Sequence, residues 1–205
     1  MSELTLYLAP GTCAMAVRIA LVEADAPHRI KRLDLVAGEQ RSPEYLAINP
    51  KGRVPALVTE RGVLTETPAL LLYVAQRFPA AGLAPLEDPF LLARMQEVNL
   101  FLAATLHISH AHGRRGSRWA DDEQAIAAMK AKMPQNMRDG FAEVENHYLT
   151  GPWVLGDRFS LADIYLFVVA SWLESDGVSI DEFPKVAAHS RRMQARPAVQ
   201  QALVI

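Results

Sequence analysis

A single cysteine, Cys13, occurs in this chain of 205 residues, so no disulfide can form within it, and such sparing use fits a reducing compartment. Long apolar runs are missing as well. Even a run such as Ile164 to Ala170 is far too short to cross a bilayer, which argues against a helical membrane span. Neither sign of charge dominates: 21 basic residues against 23 acidic ones leave a net charge of −2, and nothing in that balance invites nucleic acid. The N-terminus has no basic stretch ahead of an apolar one, because Ser2-Glu3 leads straight into a strand pattern, so no secretory signal is expected. Internal repeats and low-complexity tracts are absent too. What is present is a chain that is 50% apolar, long enough for one sizeable core or two smaller ones, and expected in the cytoplasm.

Strand formers from Leu4 to Ala9 stop at Pro10-Gly11. Ala16, Ala20 and Ala24, widened by Val17 and Leu21, then predict a helix from Cys13 to Asp25. A short strand from Ile30 to Leu33 completes a right-handed parallel βαβ unit. After an irregular helical linker at Ser42 to Ile48, a hairpin spans Ala56 to Thr65 about the Arg61-Gly62 turn, and Pro68 opens a helix that runs to Phe78. The order β-α-β then β-β-α is thioredoxin-like and predicts a first domain over residues 1–79. Pro79 to Pro85 breaks the pattern, giving a linker at 80–86, and an all-α helical bundle is expected over 87–205. Its first helix follows Leu91, Met95, Val98, Leu102 and Leu106 to about His110, and Gly113 and Gly116 predict a loop around Arg114 to Trp119. Asp121 to about Tyr148 forms a second long helix, expected to bend or break at Pro134. Ser160 and Asp163 form a capping signature for a buried helix reaching about Leu173, and two more helices follow from Pro184 and Pro197.

Four places carry chemistry. Pro55 stands where a strand begins, which suits an edge strand or a cis Val54-Pro55 bond, and then the N–H and C=O of Val54 face outward to pair with an extended peptide. Glu66 and Thr67 gather a carboxylate, a hydroxyl and open N–H groups at a helix start, though plain helix capping uses the same residues. Cys13 lies at the first helix's N-terminus, where a thiolate is favoured; the alternative is a small core residue beside Val17. His107, His110 and His112, with Arg114, Arg115 and Arg118, form a basic cluster that either lines a site for an anionic group or is a solvated helix end. No acidic or cysteine partner nearby turns it into a metal site.

The run Lys51-Gly52-Arg53-Val54-Pro55-Ala56-Leu57, the turn Leu64-Thr65-Glu66-Thr67 and the upstream Gly11-Thr12-Cys13 resemble the glutathione-binding half of a cytosolic glutathione S-transferase, most closely the bacterial beta class. The resemblance implies an enzyme that binds glutathione as a substrate, needs no metal, and works as a homodimer on a small, hydrophobic electrophile. It implies that Cys13 contacts the glutathione sulfur, with Thr12 as the rival for that role. Val54 and Pro55 then border the tripeptide, while Glu66 and Thr67 hold its γ-glutamyl end. Lys51, Arg53 or Arg41 takes the glycyl carboxylate in place of a lysine that Val36-Ala37-Gly38 does not supply. His107, following Leu106, matches a histidine that lines the electrophile site. An asparagine expected at Leu100 is displaced to Asn99, and a tyrosine used by other classes would fall at Leu8, which leaves Tyr7 a structural residue. Two other readings remain open: a glutathione-dependent disulfide reductase that cycles through Cys13, and a non-catalytic protein that keeps the fold as a binding scaffold.

Overall fold

The structure is a computed structural model and describes residues 3–204. Residues 1, 2 and 205, where the expectation about a leader and the outer ends of the two domain ranges fall, lie outside the described residues. The chain forms two compact units: one holds the described residues up to Asp88 together with those from Gln194 onward, and the other is Pro89–Met193.

In the first unit, strand β1 (Leu4–Leu8) buries Leu4, Leu6 and Leu8 in strict alternation, as a central strand should. Helix α1 (Ala14–Glu23) crosses over to β2 (His28–Arg32), which pairs parallel to β1 with Leu6 opposite Ile30. Strand β2 starts earlier than its apolar residue suggested. As an outer strand of charged composition its bounds are set by pairing, and alternation carries no signal there. After the short α2 (Pro43–Leu46), β3 (Ala56–Thr59) and β4 (Gly62–Thr65) complete a sheet of order β2-β1-β3-β4, with β3 antiparallel to both neighbours. Helix α3 (Thr67–Arg77) has proline in its first turn and buries Leu70, Leu71 and Val74 completely. Each of those side chains contributes about 1.5–3 kcal/mol by leaving water. The thioredoxin-like order expected from sequence is the one observed.

The second unit is built on helices, α4 (Pro89–Phe101), α5 (His107–Arg115), α6 (Glu123–Glu143), α7 (Leu161–Ala170) and α8 (Pro184–Gln194), with the last residue of α8 falling beyond its boundary. A π-helical turn at Leu102–Leu106 joins α4 to α5, so the first helical run continues to Arg115, past the end predicted near His110. Gly113 was expected to break it. Instead the glycine lets α5 approach α6, since a Cβ there would lie 1.9 Å from the Met133 sulfur. Pro134 likewise fails to interrupt α6, which spans 21 residues with Met133, Met137, Gly140 and Phe141 buried; packing on that face outweighs one missing N–H. Every residue of α7 is buried, and its N-terminus carries the predicted capping box.

The chain's last helix, α9 (Pro197–Leu203), packs on α1, with Val199 and Ala202 fully buried. Just before it, Arg196 donates two hydrogen bonds to the Glu23 carboxylate, at 2.6 and 2.9 Å. These contacts put it in the first compact unit, whereas the sequence division runs the helical domain from 87 to 205.

Candidate functional site

The loop ahead of β3 is fixed from beneath. Ser42 caps α2 by accepting from the Tyr45 N–H at 3.2 Å, which orients the buried Tyr45 ring. The Tyr45 hydroxyl and the Asn49 side-chain amide both donate to the Arg53 carbonyl, each at 2.6 Å. Burial pushes the Tyr45 phenol above its ordinary pKa, so it stays a donor. Gly52 has φ of +59°, and a Cβ on it would sit 2.9 Å from the Gln40 carbonyl, so this position needs glycine twice over. The Val54-Pro55 bond is cis, as the sequence suggested. Val54 is half-buried; its N–H has no partner among the described residues, and its carbonyl accepts from the Cys13 thiol at 3.8 Å.

Cys13 therefore lies beside the backbone of Val54, at the N-cap of α1, with 6% of its surface exposed. A negative charge at this end of a helix is stabilised by the dipole. The neighbouring Thr12 hydroxyl donates to the Ala9 carbonyl at 2.7 Å and accepts from the Ala14 N–H at 3.4 Å. Its one proton is thus tied to the turn. Tyr7 packs on Tyr45, ring centres 5.5 Å apart.

Glu66 occupies the N-cap position of α3 with φ of +70° and ψ of 115°, a conformation that a side chain other than glycine's rarely adopts. Holding it there costs about 1–3 kcal/mol, a kind of strain that collects at working sites. The Lys51 ammonium bonds the Glu66 carboxylate at 2.6 Å and the Thr65 hydroxyl at 2.9 Å, with both charged groups largely in water. Thr67, 4% exposed, begins the helix, and its hydroxyl finds no partner among the described residues. The exposed Arg53 and Arg41 guanidinium groups have no ion-pair partner among those residues either, so both are available to an anion. Around Cys13, then, the first unit gathers Val54 and Pro55, and at the start of α3 it gathers Lys51, Glu66 and Thr67.

In the second unit the three histidines diverge. His110 donates from Nδ1 to the fully buried Asp176 carboxylate at 2.7 and 3.0 Å and stacks on Trp172 at 4.5 Å. His112 meets Trp119 edge-on. His107 packs 5.0 Å from Trp172, and its Nε2 lies 3.4 Å from the Arg115 guanidinium. Arg114 bonds the Ser175 carbonyl at 2.7 Å and flanks Asp176. Among the described residues no group of three or more metal-binding side chains converges. Leu100 is exposed, whereas Asn99 is buried inside the unit and donates to Gln96 at 2.8 Å. Sequence reasoning missed Asp176, Tyr45 and the side chain of Asn49. Only Asn49 left a trace, in the Asn-Pro turn signal.

Two family models match the chain: the N-terminal domain of glutathione S-transferase over residues 2–76 and the C-terminal domain over residues 123–192. A maleylacetoacetate isomerase of Pseudomonas aeruginosa is 33% identical, with 93% of each chain covered. Among solved structures, a glutathione transferase homologue from Sulfitobacter with bound glutathione is 49% identical, with a TM-score of 0.95 over 98% of this chain and 97% of that one. The bacterial beta class glutathione S-transferase of Sphingomonas chungbukensis is 31% identical, with a TM-score of 0.84 over 97% of this chain and 96% of that one.

Proposed function

The chain belongs to the glutathione S-transferase family of enzymes, and from that premise we propose that it binds glutathione along Val54 and delivers the sulfur to Cys13. The cysteinyl backbone of the tripeptide pairs with the unpartnered N–H of Val54 as a short added strand. Its α-carboxylate takes the Thr67 hydroxyl and the open amides of α3, and its ammonium takes the Glu66 carboxylate, displacing Lys51. Lys51, Arg53 and Arg41 then lie free for the glycyl carboxylate. The thiolate, stabilised at the start of α1 beside Cys13, attacks an electrophilic carbon, and the protein supplies a lowered thiol pKa and a fixed position. Cys13 takes the sulfur contact in preference to Thr12, because the Thr12 hydroxyl already spends its proton on Ala9. His107 serves the electrophile. The enzyme works as a homodimer in the cytoplasm.

The observation that carries this reading is the open amide of Val54 next to the Cys13 thiol. The test is retention on immobilised glutathione, followed by conjugation and disulfide-reduction rates for Cys13→Ala and Cys13→Ser. Loss of retention in wild type would sink the binding mode. Conjugation that survives both variants while reduction vanishes would move Cys13 to the disulfide chemistry.

A further inference from the structure

A guanidinium has N–H groups on every nitrogen and no lone pair to offer, so it can only donate. The Arg115 Nη2 sits 3.4 Å from the His107 Nε2 in hydrogen-bonding geometry. The Nε2 atom must then carry its lone pair there, which places the ring's single proton on Nδ1 and leaves the imidazole neutral. A second proton on Nε2 would break this bond and set two cations against each other. His110, on the same helix, is committed to Asp176, the Asp176 carboxylate also lies 3.7 Å from Arg114, and across from α5 the ring meets the uncharged Trp172. Residues 107 and 115 are eight apart, about two turns along α5, so the helix itself sets their spacing.

We propose that Arg115 is a positioning residue that holds His107 as the neutral Nδ1–H tautomer and occupies its basic nitrogen. His107 then acts by hydrogen bonding and packing, and not as a general base through Nε2. The consequence for catalysis rests on the reading above, in which His107 serves the electrophile; the tautomer itself does not.

Long-range proton–nitrogen correlation NMR of the intact protein, with His107 assigned through His107→Gln, reads the tautomer directly. Wild type should show a protonated Nδ1 and an unprotonated Nε2 near neutral pH. Arg115→Met should move the proton toward Nε2, and Arg115→Lys, which still donates, should restore the wild-type pattern. Conjugation of glutathione to a nitro-activated aryl chloride should fall about five- to tenfold in kcat/KM in Arg115→Met, the effect of one hydrogen bond, and recover in Arg115→Lys. A wild-type signal with the proton on Nε2, or an imidazolium, would overturn the assignment without recourse to any variant. If the Nδ1–H signal is present but His107→Phe conjugates at the wild-type rate, the tautomer stands and the electrophile role of His107 falls.

Discussion

Replacing Asp163 by alanine tests how the helical unit holds its most buried helix. The carboxylate is inaccessible to solvent and receives four hydrogen bonds. One oxygen takes the Val154 N–H at 2.8 Å and His189 Nε2 at 3.1 Å; the other takes the Ser160 N–H at 2.8 Å and the Ser160 hydroxyl at 3.1 Å. In Asp163→Ala the hydroxyl can turn to a new acceptor, while the imidazole finds none at its other ring nitrogen, which is buried without a partner among the described residues. The two backbone amides have no such freedom. A buried donor left unmade costs about 1–3 kcal/mol, so the pair predicts a loss of about 2–6 kcal/mol. Set against a typical total of about 5–15 kcal/mol, that is a large fraction of the unit's stability. Ser160→Ala, which removes a hydroxyl and leaves both amides satisfied, should lose only about 1 kcal/mol. The chain's three tryptophans, Trp119, Trp153 and Trp172, all lie in the helical unit, so urea unfolding followed by tryptophan fluorescence at fixed protein concentration reports on that unit. A loss below about 1 kcal/mol for Asp163→Ala at unchanged urea slope would refute the reasoning, because both amides would then have found another partner.

Gly140→Ala should destabilise the same unit by about 1–3 kcal/mol, since its Cβ would fall 2.4 Å from a Leu106 methyl; an unchanged urea midpoint would mean that Leu106 repacks freely. Glu66→Gly removes the positive-φ strain along with the carboxylate. Thermal unfolding should show stability held or raised by about 1 kcal/mol, while calorimetry shows glutathione binding weakened at least tenfold, about the effect of one charged hydrogen bond. Thr67→Val keeps the helix start and its buried shape, so a tenfold or greater loss of glutathione affinity with unchanged unfolding would assign the hydroxyl to the ligand. Tyr45→Phe leaves Asn49 as the one side-chain donor on the Arg53 carbonyl and should cost about 1 kcal/mol, with a smaller effect on glutathione affinity than Thr67→Val.

Punctuation made the first unit readable. Pro10-Gly11, Arg61-Gly62 and Pro68 each sit at a real join, because a missing N–H or a backbone angle open only to glycine acts locally, whatever packs nearby. Gly113 and Pro134 misled for the opposite reason: their meaning depends on a neighbour. The glycine is there to admit Met133, and the proline is tolerated because Met137 and Phe141 anchor the turns beyond it. Asp176 was beyond reach. It lies 66 residues from the histidine it holds, and a lone aspartate before a glycine reads as a turn. The proximity of Cys13 to Val54 was legible only by combining motifs, since the two lie 41 positions apart and nothing between them carries a pattern that encodes the contact.

Because α9 lies on α1, the compact unit that holds Cys13 is assembled from the two extremes of the chain. During synthesis its sheet can form early, but the covering over Glu23 and its helix arrives only once residues near 200 have left the ribosome. A fragment stopping at Asp88 would expose that apolar flank and strand the Glu23 carboxylate, so it should aggregate where the same fragment supplied with an Arg196-bearing peptide stays dispersed.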